Sequence, residues 1–207
     1  FDSIWYVKIA MQGYAQGDGT TVFFPLYPML TRIVGKVLWG NYLLAGIVVS
    51  NTAYFLALVY LHRLTQLEFD PQVAARTIIY LSVFPTAFFF LAVYTESLFL
   101  LFAVVAFYYA RKGNWLAASV AGFLAALTKQ LGLLLLLPLL YEYLAQNSKF
   151  QLPIEGRRSP DRAHFTSVGD PSTALRQGSG QALRRSKVRR DILLLALIPL
   201  GTLAFLV

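Results

Sequence analysis

The sequence predicts an all-α protein whose helices cross a membrane several times, a polytopic transmembrane helical bundle. Hydrophobic residues make up 57% of the 207 residues, and only 14% are charged. The mean hydropathy is +0.57. Long apolar runs alternate with short polar stretches, whereas a soluble domain of this length would carry far more charge. The composition therefore favours a membrane protein.

Candidate spans are apolar runs that approach the roughly twenty residues needed to cross a bilayer. Residues 41–61 form a clear run. Residues 74–93 form another, in which Pro85 predicts a kink that neighbouring helices accommodate. Shorter runs follow at 97–110, 115–128, 131–144 and 192–207.

Residues 115–144 have an alternative interpretation as one helix. Thirty residues would be about 45 Å long, which exceeds the roughly 30 Å hydrocarbon core. Lys129 and Gln130 would then lie in the middle of the bilayer at high cost. We therefore predict two spans that are joined by a turn at 128–131.

The spans divide the chain into four parts. Residues 1–40 are predicted to form an extracytoplasmic loop with interfacial helices at 3–14 and 25–40. Residues 41–145 hold about five spans, residues 146–190 a basic disordered loop, and residues 191–207 a truncated span. The chain begins with Phe and stops inside an apolar run, so we expect a fragment of a longer protein.

The cations predict the topology. Ten of the eighteen Lys and Arg residues lie in residues 149–190, and Arg63, Arg76, Arg111 and Lys112 fall on the same side of the predicted spans. The opposite side carries four: Lys8, Arg32, Lys36 and Lys129. The positive-inside rule therefore places the basic loop in the cytoplasm. Asp2, Asp18, Glu96, Lys129 and Gln130 then share the extracytoplasmic face.

The net charge of +8 does not predict a nucleic-acid partner, because the cations cluster in one loop or flank apolar helices. We expect that loop to lie on anionic lipid headgroups. The absence of Cys excludes disulfides and thiol chemistry. No metal-ligand spacing is visible, so no metal is predicted, and Asp18 is most simply a turn residue.

The first thirty residues hold the strongest functional signal. Asp2 precedes an aromatic-rich helical segment, and an acidic residue at a bilayer edge is costly to keep, so it is a candidate site residue. The alternative is a helix N-cap, a common role of Asp. Both roles are compatible with the sequence.

Four motifs in order carry a resemblance to a known family. They are Phe1-Asp2, Ile9-Ala10-x-x-Gly13-Tyr14, Phe23-Phe24-Pro25-Leu26-Tyr27-Pro28 and Tyr94-Thr95-Glu96-Ser97. The chain resembles the second GPI mannosyltransferase family (PIG-V) and its prokaryotic relatives, which are polytopic glycosyltransferases of the GT-C type. The resemblance covers roughly the first half, and Phe1 departs from the usual Trp.

The resemblance implies inverting transfer of a hexose from a polyprenyl-phosphate sugar to an unknown acceptor hydroxyl. The expected hexose is mannose. Asp2 would be the general base. The leaving phosphate needs cations or dipoles rather than an acid. No cofactor is implied, because the lipid-linked donor is a substrate. A prokaryotic relative would lie in the plasma membrane, and the GPI role is not carried over.

The remaining candidates are substrate-binding residues. Glu96 is a carboxylate for donor or acceptor, or else a favourable charge at a helix N-terminus. Lys129 would hold the donor phosphate where relatives have Arg, or else is a snorkelling lysine. Lys8 would reach a phosphate or anchor headgroups. Further candidates are Tyr94, Gln130, Phe24 and Tyr27.

A transporter or lipid flippase is the alternative function. It explains the spans equally well, but it predicts inverted repeats and a discontinuous helix at mid-membrane. No internal repeat is visible in the sequence. A purely structural membrane subunit would leave Asp2 and Glu96 unexplained.

Overall fold

The computed structural model describes residues 2–147, apart from 16 and 18, and residues 193–206. These residues form helices and connecting turns, without β-strands. The helices are α1 (Ser3–Gln12), α2 (Leu26–Val37), α3 (Tyr42–Glu68), α4 (Pro71–Val83), α5 (Phe88–Leu91), α6 (Glu96–Arg111), α7 (Trp115–Thr128), α8 (Leu136–Asn147) and α9 (Leu197–Leu206). The predictions for Asp18 and for the basic loop lie outside the described residues.

Helices α1 and α2 form where the sequence predicts them. The Asp2 carbonyl accepts hydrogen bonds from the backbone of Trp5 and Tyr6, which starts α1. Gly13 ends α1 at a φ of 87°, a conformation that favours glycine. A 3₁₀ turn at Thr20–Val22 leads to α2. Their interfacial placement stays a prediction.

Helix α3 is the longest helix of the described chain. The Asn41 side chain caps it by accepting a 3.0 Å hydrogen bond from the Leu44 amide. The helix continues for 27 residues, past the predicted end at residue 61. Within the described residues it alone has the length and composition to cross a membrane. The other apolar helices are shorter, so the number of spans stays a prediction.

The predicted continuous, kinked helix at residues 74–93 is wrong, whereas the membrane crossing of this segment stays a prediction. Helix α4 ends at Val83, and Phe84 adopts an extended conformation with φ −60° and ψ 137°. Proline disfavours helical geometry in the residue before it, so Pro85 breaks the helix instead of bending it. The chain then forms the single turn α5 and a bend that leads to Glu96.

The predicted turn at residues 128–131 is confirmed. Helix α7 ends at Thr128, and Lys129 is extended at φ −157° and ψ 144°. A 3₁₀ segment, Gln130–Leu135, precedes α8, so the predicted helix at 131–144 starts later. A Cβ on Gly132 would lie 2.4 Å from the Ala126 Cα. Glycine thus allows the segment to pack directly on α7.

Two hydrophobic clusters meet at α6. The first joins α1, α2, α3 and α6 and includes Tyr6, Tyr27, Val49, Ala53, Val93 and Leu98. The second joins α6, α7, α8 and α9 and includes Ala106, Trp115, Ala118, Leu139, Tyr143 and Ile198. Helix α6 therefore forms the centre of the bundle. Its packing on both sides fixes the position of Glu96, the first residue of the helix.

Candidate active site

An ion pair joins the start of α6 to the end of α7. The Lys129 Nζ lies 2.9 Å from the Glu96 Oε1. The two residues are 33 positions apart in the chain. The Glu96 side chain is 31% exposed and the Lys129 side chain is 35% exposed. The antiparallel packing of α6 and α7 brings these helix ends together. The pair therefore lies at a partly solvated edge of the bundle.

The Glu96 carboxylate is only half satisfied. Its Oε1 accepts from Lys129, whereas its Oε2 is buried and has no hydrogen-bond partner among the described residues. A buried acceptor without a donor is unfavourable, and such atoms often mark a place for a ligand or water. The Oε2 atom can therefore accept a hydrogen bond from a hydroxyl group.

Tyr6 connects α1 to this edge. Its side chain is buried, and its ring makes edge-on contacts with Phe23 and Tyr27, each at 5.1 Å between ring centroids. Burial raises the pKa of the Tyr6 hydroxyl, a hydrogen bond to the Thr95 side chain opposes that rise, and the Glu96 and Asp2 carboxylates add to it. Both carboxylates therefore act on the same hydroxyl.

Asp2 is exposed at the beginning of α1. It occupies the N-cap position, but its side chain forms no capping hydrogen bond. The Asp2 side chain therefore does not cap α1 in this structure. The carboxylate stands four residues before Tyr6, so the two lie on the same side of the helix. A role for Asp2 as base stays a prediction.

Tyr27 lies inside the bundle. It is fully buried, and its hydroxyl lies 2.8 Å from the Ser50 Oγ and donates to the Gly46 carbonyl at 3.1 Å. Burial raises the pKa of this hydroxyl to about 12. These contacts fasten α2 to α3, which is a structural role. A substrate contact by Tyr27 stays a prediction.

The other predicted site residues surround this edge at different depths. Tyr94 is half-buried, and its carbonyl accepts from the Ser50 hydroxyl at 3.4 Å. The Lys8 Nζ lies 5.0 Å from the centre of the Trp5 ring. Phe24 is half-buried, and Gln130 is exposed at the start of the 3₁₀ segment. Their binding roles stay predictions.

A second group of charges marks the opposite end of the bundle. Arg111, the last residue of α6, lies 3.2 Å from a carboxylate oxygen of Glu68 and 3.2 Å from one of Glu142. The sixteen residues of α6 span about 24 Å between this group and Glu96. Since Glu68 ends α3, helices α3 and α6 run parallel. The start of α3 therefore lies at the Glu96 end.

Sequence reasoning missed Tyr6 and Thr95 as parts of this arrangement. A tyrosine four residues after a candidate carboxylate is a usable signal, because that spacing places both on one helix face. Nothing comparable indicates the contact with Thr95, which needs the tertiary fold. Within residues 2–147 and 193–206, apart from 16 and 18, no group of three metal-ligating side chains is present. Metal independence stays a prediction.

One comparison with known proteins gives a match. A family model described as mannosyltransferase (PIG-V) matches residues 1–141. The matched range contains Asp2, Glu96 and Lys129. No curated protein and no solved structure matches the chain.

Proposed function

Because the chain belongs to the PIG-V mannosyltransferase family, a family of glycosyltransferases, we propose that it moves mannose from a polyprenyl-phosphate sugar to an acceptor hydroxyl. The reaction takes place at the extracytoplasmic face with inversion at the sugar. The Glu96–Lys129 pair at 2.9 Å, beside the helix that Asp2 begins, is the observation that carries this proposal.

Asp2 acts as the general base. The exposed carboxylate makes no capping hydrogen bond, so it is available to take a proton from the acceptor hydroxyl. The acceptor oxygen then forms a bond to the sugar C1 while the bond from C1 to the phosphate oxygen breaks. The electron pair of that bond leaves with the phosphate. One displacement of this kind inverts the anomeric centre.

Lys129 stabilises the leaving phosphate. A fixed positive charge that lies near the departing oxygen lowers the free energy of the transition state. The ion pair with Glu96 is partly exposed, and exposed pairs contribute only about 0.2–1 kcal/mol, so a phosphate displaces the carboxylate at little cost. Lysine supplies a point charge rather than a bidentate fork, so it tolerates some movement of the phosphate.

Glu96 binds a hydroxyl group of a substrate. Its buried Oε2 atom has no partner among the described residues, and a sugar or acceptor hydroxyl would supply the missing donor. Aromatic side chains at the start of α1 and before α2 add an apolar surface around Tyr6. Trp5 and Phe23 stack with ring centroids 6.0 Å apart, and both are half-buried. Such rings suit the apolar face of a sugar or a polyprenyl chain.

The experiment that tests this function compares donors. Membrane vesicles with the full-length protein are incubated with labelled polyprenyl-phosphate mannose or with a labelled nucleotide sugar. We expect label to pass to an acceptor only from the lipid-linked donor, with an inverted glycosidic bond. A protein that moves the intact lipid-linked sugar across the vesicle membrane without cleaving it would be a flippase, and the proposal would be wrong.

A further inference from the structure

A groove between α3 and α4 lies at the opposite end of the bundle from the Glu96–Lys129 pair. Its volume is about 340 Å³, and it opens toward the surface. The lining residues are Phe55, Leu58, Val59, His62, Arg63 and Ile78. Four of these side chains are apolar and two carry basic groups. The lining therefore combines an apolar wall with a cationic end.

The two kinds of lining residue are separated along α3. Phe55 and Arg63 are eight residues apart, which corresponds to roughly 12 Å of helix. The apolar residues occupy the first part of this distance, and His62 and Arg63 occupy the end. That end lies toward Glu68, which terminates α3. The order fits a ligand with an apolar chain and an anionic head at the edge of the membrane.

The charge of Arg63 is not neutralised within the described part of the chain. Its guanidinium lies 5.9 Å from the centre of the Tyr60 ring, a cation–π contact that uses none of its five N–H donors. The carboxylates of Glu68 and Glu142, at the same end of the bundle, are both bound by Arg111. Arg63 is therefore available for an external anion.

We propose that this groove binds one anionic phospholipid of the surrounding bilayer. One acyl chain packs against Phe55, Leu58 and Ile78, and the lipid phosphate accepts hydrogen bonds from Arg63 and His62. Basic pockets between membrane helices on the cytoplasmic side recognise lipid headgroups in this way. The charge complementarity of Arg63 and the apolar wall favour a lipid over a soluble anion. The site is separate from the proposed glycosyl transfer and does not depend on it.

The test measures which lipids stay bound to the full-length protein. The protein is reconstituted in bilayers of phosphatidylcholine with phosphatidylglycerol, and native mass spectrometry counts the retained lipids. We expect a preference for phosphatidylglycerol that falls roughly tenfold in Arg63→Gln, because this variant loses a charge-assisted hydrogen bond to the lipid phosphate inside the groove. Arg63→Lys should keep most of the preference, and it also shows that a variant at this position folds.

Arg76→Gln is the matched control. Arg76 is exposed on α4 and does not line the groove, since it lies two residues before Ile78 and faces another direction. The Arg76→Gln variant removes the same charge but outside the groove. Its preference for phosphatidylglycerol should therefore stay close to the wild-type value. An unchanged preference in Arg63→Gln, or an equal loss in both variants, would overturn the proposal. Complete displacement of the lipid by inorganic phosphate would also overturn it, by indicating a site for soluble anions.

Discussion

The Lys129 ammonium lies 2.9 Å from the Glu96 carboxylate and thereby joins the end of α7 to the start of α6. The contact places a cation and a half-satisfied carboxylate on one edge of the bundle. The structural contribution of the pair is small because both side chains are about one-third exposed. We therefore expect the ion pair to contribute mainly to ligand binding. Binding measurements on Lys129 variants test this expectation.

Replacing Lys129 by Gln should raise the KM for the lipid-linked donor roughly ten- to hundredfold, because a hydrogen bond to a charged group contributes about 1.5–3 kcal/mol. The melting temperature should change little. Arg111→Gln is the control, since it breaks ion pairs at the other end of α6 and should leave this KM unchanged. Equal KM values for the wild type and Lys129→Gln would show that Lys129 does not bind the donor.

Tyr27→Phe should destabilise the protein by about 1–3 kcal/mol, since it leaves the Ser50 hydroxyl and the Gly46 carbonyl without their buried partner. Thermal unfolding in detergent gives the measurement. Tyr80→Phe is the control, because that side chain is 70% exposed and its removal should have little effect. A normal melting temperature with a higher KM would instead support a substrate contact by Tyr27.

The difference in stability between the wild type and Tyr27→Phe should also depend on pH. The pKa of Tyr27 is about 12 in the fold and near 10 when unfolded, so the folded state favours the protonated hydroxyl. The resulting stabilisation is present below pH 10 and is lost as the pH rises toward 12. The difference in melting temperature between the wild type and Tyr27→Phe should therefore shrink over this range. A constant difference would contradict the burial of this hydroxyl.

Cysteine labelling should distinguish the two ends of the bundle, and the chain has no native cysteine to interfere. Trp39 is 96% exposed just before α3, at the Glu96 end, and Gln66 is exposed near the end of α3. In intact cells, a cysteine at position 39 should react with an impermeant reagent. One at position 66 should react only after the membrane is opened. The reverse pattern would place the candidate site in the cytoplasm.

The sequence predicted which segments form helices, because apolar runs and their polar interruptions are local signals. It also predicted the break at Lys129, where a cation would otherwise lie in mid-membrane. It did not predict the break at Phe84, because a proline in an apolar run is compatible with a kink or with a helix end. Tertiary packing decides between them.

The candidate site was predictable only in its parts. The cation count placed Glu96 and Lys129 on one face, but no local pattern specifies which helix ends are neighbours, so their contact required the fold. Tyr6 stands four residues after Asp2, which is a local signal for a shared helix face, but its role at this edge depends on tertiary contacts. Its contacts come from α2 and from the Thr95 segment, far away in the chain.

The turnover of Asp2→Asn in the full-length enzyme with a lipid-linked mannose donor tests the assignment of Asp2 as the base most directly. The variant should insert in the membrane and bind donor normally, yet transfer should be abolished because no base remains to take the acceptor proton. Asp70→Asn is the control, since Asp70 likewise holds an N-cap position without a side-chain capping bond, before α4 at the other end. It should retain full turnover. Near-normal transfer by Asp2→Asn would contradict the assignment of Asp2 as the base.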